Sequence, residues 1–144
     1  MRDITFRGIG IESGKWYYGD LSQDKGVGIV FRKDGVLHSW YVKPETVGQY
    51  TGVKDTNGVY IYEGDILKYS ADSWEDSIMV VYYDDKEDFR WKVREIGISN
   101  KESVCDKMIP LSDFFYNDFE DLEIIGNIHD NPELLNQQDS IKGE

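Results

Sequence analysis

Few residues in this chain are of a type that carries acid–base or nucleophilic chemistry, and none stands in a pattern that such chemistry needs. The 144 residues hold two histidines, His38 and His129, and one cysteine, Cys105. His38 lies inside a strand-like run between Leu37 and Ser39, and His129 follows the end of another. An imidazole in either place reads as an ordinary surface or hydrogen-bonding group. Cys105 is followed by Asp106, whose charge raises a thiol pKa instead of lowering it. A lone cysteine closes no intramolecular disulfide, and with only two histidines it builds no zinc site. In Gly10-Ile-Glu-Ser-Gly14 the serine comes one place late for a nucleophile elbow. No Walker loop or dinucleotide fingerprint is present.

Two groups of carboxylates remain. Asp84-Asp-Lys-Glu-Asp88 lacks the spaced acids and downstream glutamate of a calcium loop, and reads as a solvated hairpin tip. Glu45, Glu63 and Asp65 could form a cluster, but Glu63 or Asp65 beside Gly64 fits better as a cap on turn amides. The expectation is therefore no catalytic residue, no cofactor, no metal and no enzymatic activity.

The elements that would hold such residues are almost all strands. Asp3–Ile11 and Lys15–Leu21 flank a turn at Glu12-Ser-Gly14 and predict a hairpin. Val27–Lys33 and Val36–Val42 flank Asp34-Gly35, a pair suited to a type I′ turn because both central positions need positive φ. Pro44 ends the fourth strand. A short extended piece, Val47–Tyr50, leads to a turn at Thr51-Gly52, and Asn57-Gly58 predicts a hairpin into Val59–Tyr62. Glu63-Gly64 reads as a bulge before Asp65–Tyr69. Ser77–Tyr83 is a strong strand. Phe89–Arg94 alternates, with Phe89, Trp91 and Val93 on one face and Arg90, Lys92 and Arg94 on the other. Leu111–Asn117 suggests a helical turn and Leu122–Ile128 a last strand. Asn131 as N-cap with Pro132 at the first position starts a helix. Many short strands with glycine-rich turns predict a mostly β protein built as a small barrel or roll.

Charge divides the chain. Residues 1–69 hold nine acids and nine bases, so the whole net charge of −12 resides in residues 70–144. An acidic half repels phosphate and disfavours nucleic acid as a partner. Arg2, Arg7, Arg32 and Lys33 are the candidates for a basic patch in the neutral half. No apolar run reaches the length of a membrane span, and Asp3 interrupts any signal-like start, so a reducing cytoplasm is the expected location. Aromatic residues are 14% of the chain, ten of them tyrosine, a composition that suits half-buried strand surfaces and interfaces.

Pro44-Glu-Thr-Val-Gly-Gln-Tyr-Thr-Gly52, Lys54-Asp55, Asn57-Gly58 and Ile61-Tyr-Glu-Gly-Asp-Ile66 resemble the signature of the YopX family of small phage and prophage proteins. Ile4-Thr-Phe-Arg-Gly8 with Gly14–Leu21 resembles its N-terminal motif, and Glu123–Leu135 its C-terminal one. The resemblance implies a phage protein of the bacterial host cytoplasm with an SH3-like barrel or roll in its C-terminal part. It implies no reaction, cofactor or catalytic residue. Gly48, Gly52, Asn57, Gly58, Glu63, Gly64 and Asp65 carry over as structural positions only. The organisation expected is an N-terminal β subdomain over residues 1–47, a C-terminal SH3-like β-barrel subdomain over 48–130, and a short helix and tail over 131–144.

Two functions follow as expectations. The first is a non-enzymatic accessory module that binds a protein partner or itself. The alternative is a nucleic-acid role, through the basic patch or through an acidic surface that imitates DNA and occupies a host DNA-binding protein.

Overall fold

The structure is a computed structural model that describes residues 1–70, 76–98, 109–110 and 121–136. It is mostly β, with two antiparallel sheets. The chain divides into two compact units, Met1–Val53 and Lys54–Glu144.

The first unit holds β1 (Phe6–Ile9), β2 (Trp16–Ser22), β3 (Gly28–Lys33), β4 (Val36–Tyr41) and nearly all of β5 (Gly48–Lys54). They are neighbours in the order β4-β3-β2-β1-β5. Asp34 (φ 52°) and Gly35 (φ 76°) are both left-handed, so the β3–β4 turn is the expected two-residue one, with Lys33 opposite Val36. Beyond β4 the chain curls back: Val42 bridges Gly10, and the Ile11 N–H donates to the Tyr41 carbonyl at 3.0 Å. Pro44–Thr46 is a 3₁₀ turn. The Thr46 hydroxyl fixes it to the sheet by accepting the Ile9 N–H at 2.9 Å and donating to the Lys43 carbonyl at 2.7 Å. Ile29, Val42 and Tyr50 form the buried centre. Thr51-Gly52 does not turn the chain as expected. β5 runs through it, and Gly52 takes the irregularity at φ 91°.

The second unit holds β6 (Tyr60–Tyr62), β7 (Asp65–Ser70), β8 (Ser77–Asp84), β9 (Arg90–Ile98), β10 (Ile109–Pro110) and β11 (Asp121–Asn127). Its five-stranded sheet has the order β10-β9-β8-β7-β11, open at both edges among the described residues. Ile61, Ile66, Leu67, Met79, Val81, Val93 and Leu122 fill its core. Pro132–Asn136 is a 3₁₀ helix. Asn131 does not cap it with its side chain; that amide oxygen turns back to accept the Asn127 N–H at 3.2 Å. The expected turn at 111–117 and the tail after 136 lie outside the described residues.

Glu63-Gly64 is a tight turn between two strands instead of a bulge within one. Gly64 is buried at φ 88°, its N–H donating to the Val81 carbonyl and its carbonyl accepting the Ile128 N–H, each at 2.9 Å. A side chain at that φ is strained, so the turn specifies glycine.

Candidate functional site

Most of the residues singled out by motif are occupied in building the second unit, and Gly48 and Gly52 lie in the first. Asp55 is 7% exposed. Its Oδ1 accepts the Asn57 and Val59 N–H groups at 2.9 and 2.8 Å, and its Oδ2 accepts Ile124 N–H at 3.2 Å. Gly58 N–H donates to the Asp55 carbonyl, and Asp55 N–H to the Val59 carbonyl. Gly58 has φ 80°, whereas Asn57 is not left-handed. The turn is thus a three-residue loop ending in a glycine bulge, not the two-residue turn that Asn-Gly suggests. Thr56 adds a second tie to the last strand: its N–H donates to the Leu122 carbonyl and its hydroxyl accepts Leu122 N–H at 2.8 Å. Asp65, 2% exposed, accepts the Tyr62 N–H at 2.7 Å and caps the turn as expected. Gly48 is buried opposite Arg7. Glu63 and Asp65 belong to the second unit and Glu45 to the first.

The acidic run at the β8–β9 turn differs from a solvated tip. Asp85, Lys86, Glu87 and Asp88 are exposed, but Asp84 is buried. Its carboxylate accepts the N–H groups of Lys86, Glu87 and Asp88 at 3.0–3.3 Å. Lys92, 3% exposed, places its ammonium 2.6 Å from Asp84 and 2.8 Å from Asp88. The ammonium fills the position a cation would take in an acidic loop. The alternation that sends Lys92 to solvent therefore fails here, and Phe89 leaves the strand, exposed at φ 51°. The Lys92 ammonium and then the loop amides hold the Asp84 carboxyl well below the usual range, and the same ammonium lowers Asp88. Asp84 and Asp88 in turn push Lys92 up. Among the described residues no group of three or more His, Cys, Asp or Glu is arranged to hold a metal ion.

The two histidines lie in different units. His129 follows β11, its N–H donating to the Asn127 side chain. His38 joins an aromatic ladder on the first unit. On one face of the sheet Tyr17 stacks on Trp40 at 5.0 Å and 11°, Phe31 lies 6.2 Å from Tyr17, and His38 stacks on Phe31 at 5.4 Å and 16°. Glycines make room for these rings. A Cβ on Gly10 would come 2.7 Å from the Tyr17 ring, and one on Gly19 would come 2.2 Å from the Val30 carbonyl and 3.2 Å from Phe31 Cβ. At the end of the ladder a shallow depression is lined by Ile11, Glu12, Ser13, Ser39, Trp40 and Tyr41. Trp40 is 40% and Tyr41 61% exposed. Trp40 is thus an exposed aromatic residue with a concavity beside it. Alternation along the sequence separates Tyr17 from Phe31 and Trp40 by hairpin turns; only the register of β2, β3 and β4 brings them together.

The candidate basic patch loses a member. Arg7 is 6% exposed, and its guanidinium lies 4.6 Å from the centre of the Trp16 ring, an arrangement in which the ring replaces water around the cation. Arg32 and Lys33 stay exposed. No helix among the described residues is long and apolar enough to cross a membrane.

The sequence model described as YopX protein matches residues 5–136. No curated protein matches the chain. A crystal structure of protein EF1440 from Enterococcus faecalis is similar, at 24% identity and a TM-score of 0.49, over 94% of this chain and 99% of that one.

Proposed function

The chain belongs to the YopX family, and on that premise we propose that it is a phage or prophage accessory protein of the host cytoplasm that works by binding protein, not by catalysis. The observation that carries this reading is the ladder of Tyr17, Phe31, His38 and Trp40, which ends at exposed Trp40 beside a concavity. Rigid aromatic residues presented on a sheet supply contact area at small entropic cost, and they dominate protein interfaces. The strongest charge constellation, Asp84–Lys92–Asp88, is internally neutralised at a hairpin turn, which suits scaffold better than catalysis. For the second unit we infer an SH3-like plan. The first and last strands of its five-stranded sheet, β7 and β11, are neighbours, and β8, β9 and β10 meander away from β7, an order that supports the roll implied by the family.

The test compares the immobilised full chain with Trp40→Ala and with Tyr83→Ala, an exposed aromatic of the second unit, in host lysate and in sizing of the purified proteins. Protein retained by the parent, whether a host protein or a second copy, is expected to fall about tenfold with Trp40→Ala and to persist with Tyr83→Ala. Equal retention by Trp40→Ala would remove this surface from the account. Salt-sensitive retention of nucleic acid in place of protein would favour the alternative role.

A further inference from the structure

Asn57-Gly58 is the chain's one Asn-Gly pair, and such a pair carries a reaction of its own. The backbone nitrogen after the asparagine, once deprotonated, attacks the side-chain Cγ. An N–Cγ bond forms, the Cγ–Nδ2 bond breaks, ammonia leaves and a succinimide ring remains. Water then adds to one of the two ring carbonyls. The ring opens to aspartate or, in larger share, to isoaspartate, whose backbone runs through the side chain. The sum is water in and ammonia out, with no oxidation. Glycine favours the attack because no Cβ obstructs it. Asn57 and Gly58 are both exposed, so water reaches them.

The turn that holds the pair works against the first step. The Gly58 N–H donates to the Asp55 carbonyl at 3.0 Å, and a bonded amide gives up its proton only when the structure around it opens. The Asp55 carboxylate accepts the N–H groups on either side of Gly58, from Asn57 at 2.9 Å and Val59 at 2.8 Å. An amide anion at Gly58 would form beside that full negative charge, which disfavours the ionised form. The carboxylate does not swing aside, because its other oxygen accepts the Ile124 N–H.

We propose that Asn57 is a latent modification site that the Asp55 turn keeps closed, and that its deamidation to isoaspartate, once the turn opens, releases β11 irreversibly. The loop spans three residues between Asp55 and Val59, whose backbones bond each other. Isoaspartate lengthens that loop by one backbone atom, so the bonds from Gly58 and Val59 back to Asp55 lose their register. Both ties to β11 start inside the altered loop. Asp55 holds Ile124, and Thr56 exchanges two bonds with Leu122. A turn that opens briefly closes again, whereas one that opens and reacts does not.

The test holds the full chain at mildly alkaline pH and follows the tryptic peptide 55–68, in which Asn57 is the one asparagine. Mass spectrometry reads the gain in mass as –NH2 becomes –OH. The folded parent is expected to react at least about tenfold more slowly than the parent in urea above its unfolding transition. Asp55→Ala, where circular dichroism shows it folded, is expected to react at least about tenfold faster than the folded parent. Val93→Ala thins the core of the same unit and leaves the turn in place, so it is expected to stay close to the parent's rate. The separated isoaspartyl form is expected to unfold at lower urea than the parent. Asn57→Asp, which changes the charge without lengthening the backbone, is expected to unfold close to the parent. Equal rates for folded and unfolded parent would overturn the proposal, as would equal acceleration by Asp55→Ala and Val93→Ala, or an isoaspartyl form as stable as the parent. Should Asp55→Ala not fold, the two rates of the parent and the stability of its isoaspartyl form decide alone.

Discussion

Asp55→Ala is expected to lower the folding stability of the second unit by roughly 3 kcal/mol. One carboxylate serves three backbone N–H groups, two in its own turn and one on β11. It is 7% exposed, so water does not reach in to replace it. Alanine leaves those donors to be satisfied by rearrangement or not at all, and an orphaned buried donor costs more than an average hydrogen bond contributes. Asp55→Asn keeps one acceptor oxygen and is expected to lose less. Urea titration followed by circular dichroism at neutral pH gives the order: parent, Asn, Ala. Equal stability of parent and alanine variant would mean that the turn and β11 are joined by other means.

The second expectation concerns pH. Asp84 and Asp88 are held below their usual range when folded, so each contributes stability that is complete above the unfolded aspartate value of about 3.9 and disappears as pH falls below it. Lys92 is raised, so its contribution is complete below the unfolded lysine value of about 10.4 and is lost only as pH climbs beyond that. The triad thus supports the fold on a plateau from about pH 4 to about pH 10. Asp84 dominates it, because Asp88 is 44% exposed and screened by solvent, while Lys92 is nearly covered. Asp84→Asn breaks the shorter ion pair and leaves a buried ammonium with one exposed partner, a strongly destabilising change. Its stability is expected to lie well below the parent at pH 7 and to converge with it as the pH drops below about 4. Parallel curves across that range would show that the ion triad is not the source of the acid sensitivity.

The strands were legible because the signals were local. Asp34-Gly35 names its turn, Pro44 its strand end, and Ser77–Tyr83 its strand. Residues whose role depends on a distant partner were harder. Asp55 reads only as part of the family signature, with no role of its own, until Ile124, 69 positions away, is placed beside it. Lys92 occupies a solvent-facing place in the alternation, and only the return of Asp84 across the hairpin turns it inward. Thr51-Gly52 reads as a turn, but β5 runs from Gly48 through it to Lys54, with Gly52 at φ 91°. The aromatic ladder was legible only as composition. Tyr17, Phe31, His38 and Trp40 are far apart in sequence, and their stacking follows from the hairpin registers that bring them to one face. The family motif, by contrast, marks scaffold: Asp65, Gly58 and Gly64 hold turns, and the exposed aromatic surface lies outside the motif's central stretch.

Protein binding through the surface around Trp40 is tested most directly by the protein that the immobilised full chain retains from host lysate, compared with Trp40→Ala and Tyr83→Ala. Retention is expected to fall about tenfold with Trp40→Ala and to persist with Tyr83→Ala. Equal retention by the parent and Trp40→Ala would contradict binding through this surface.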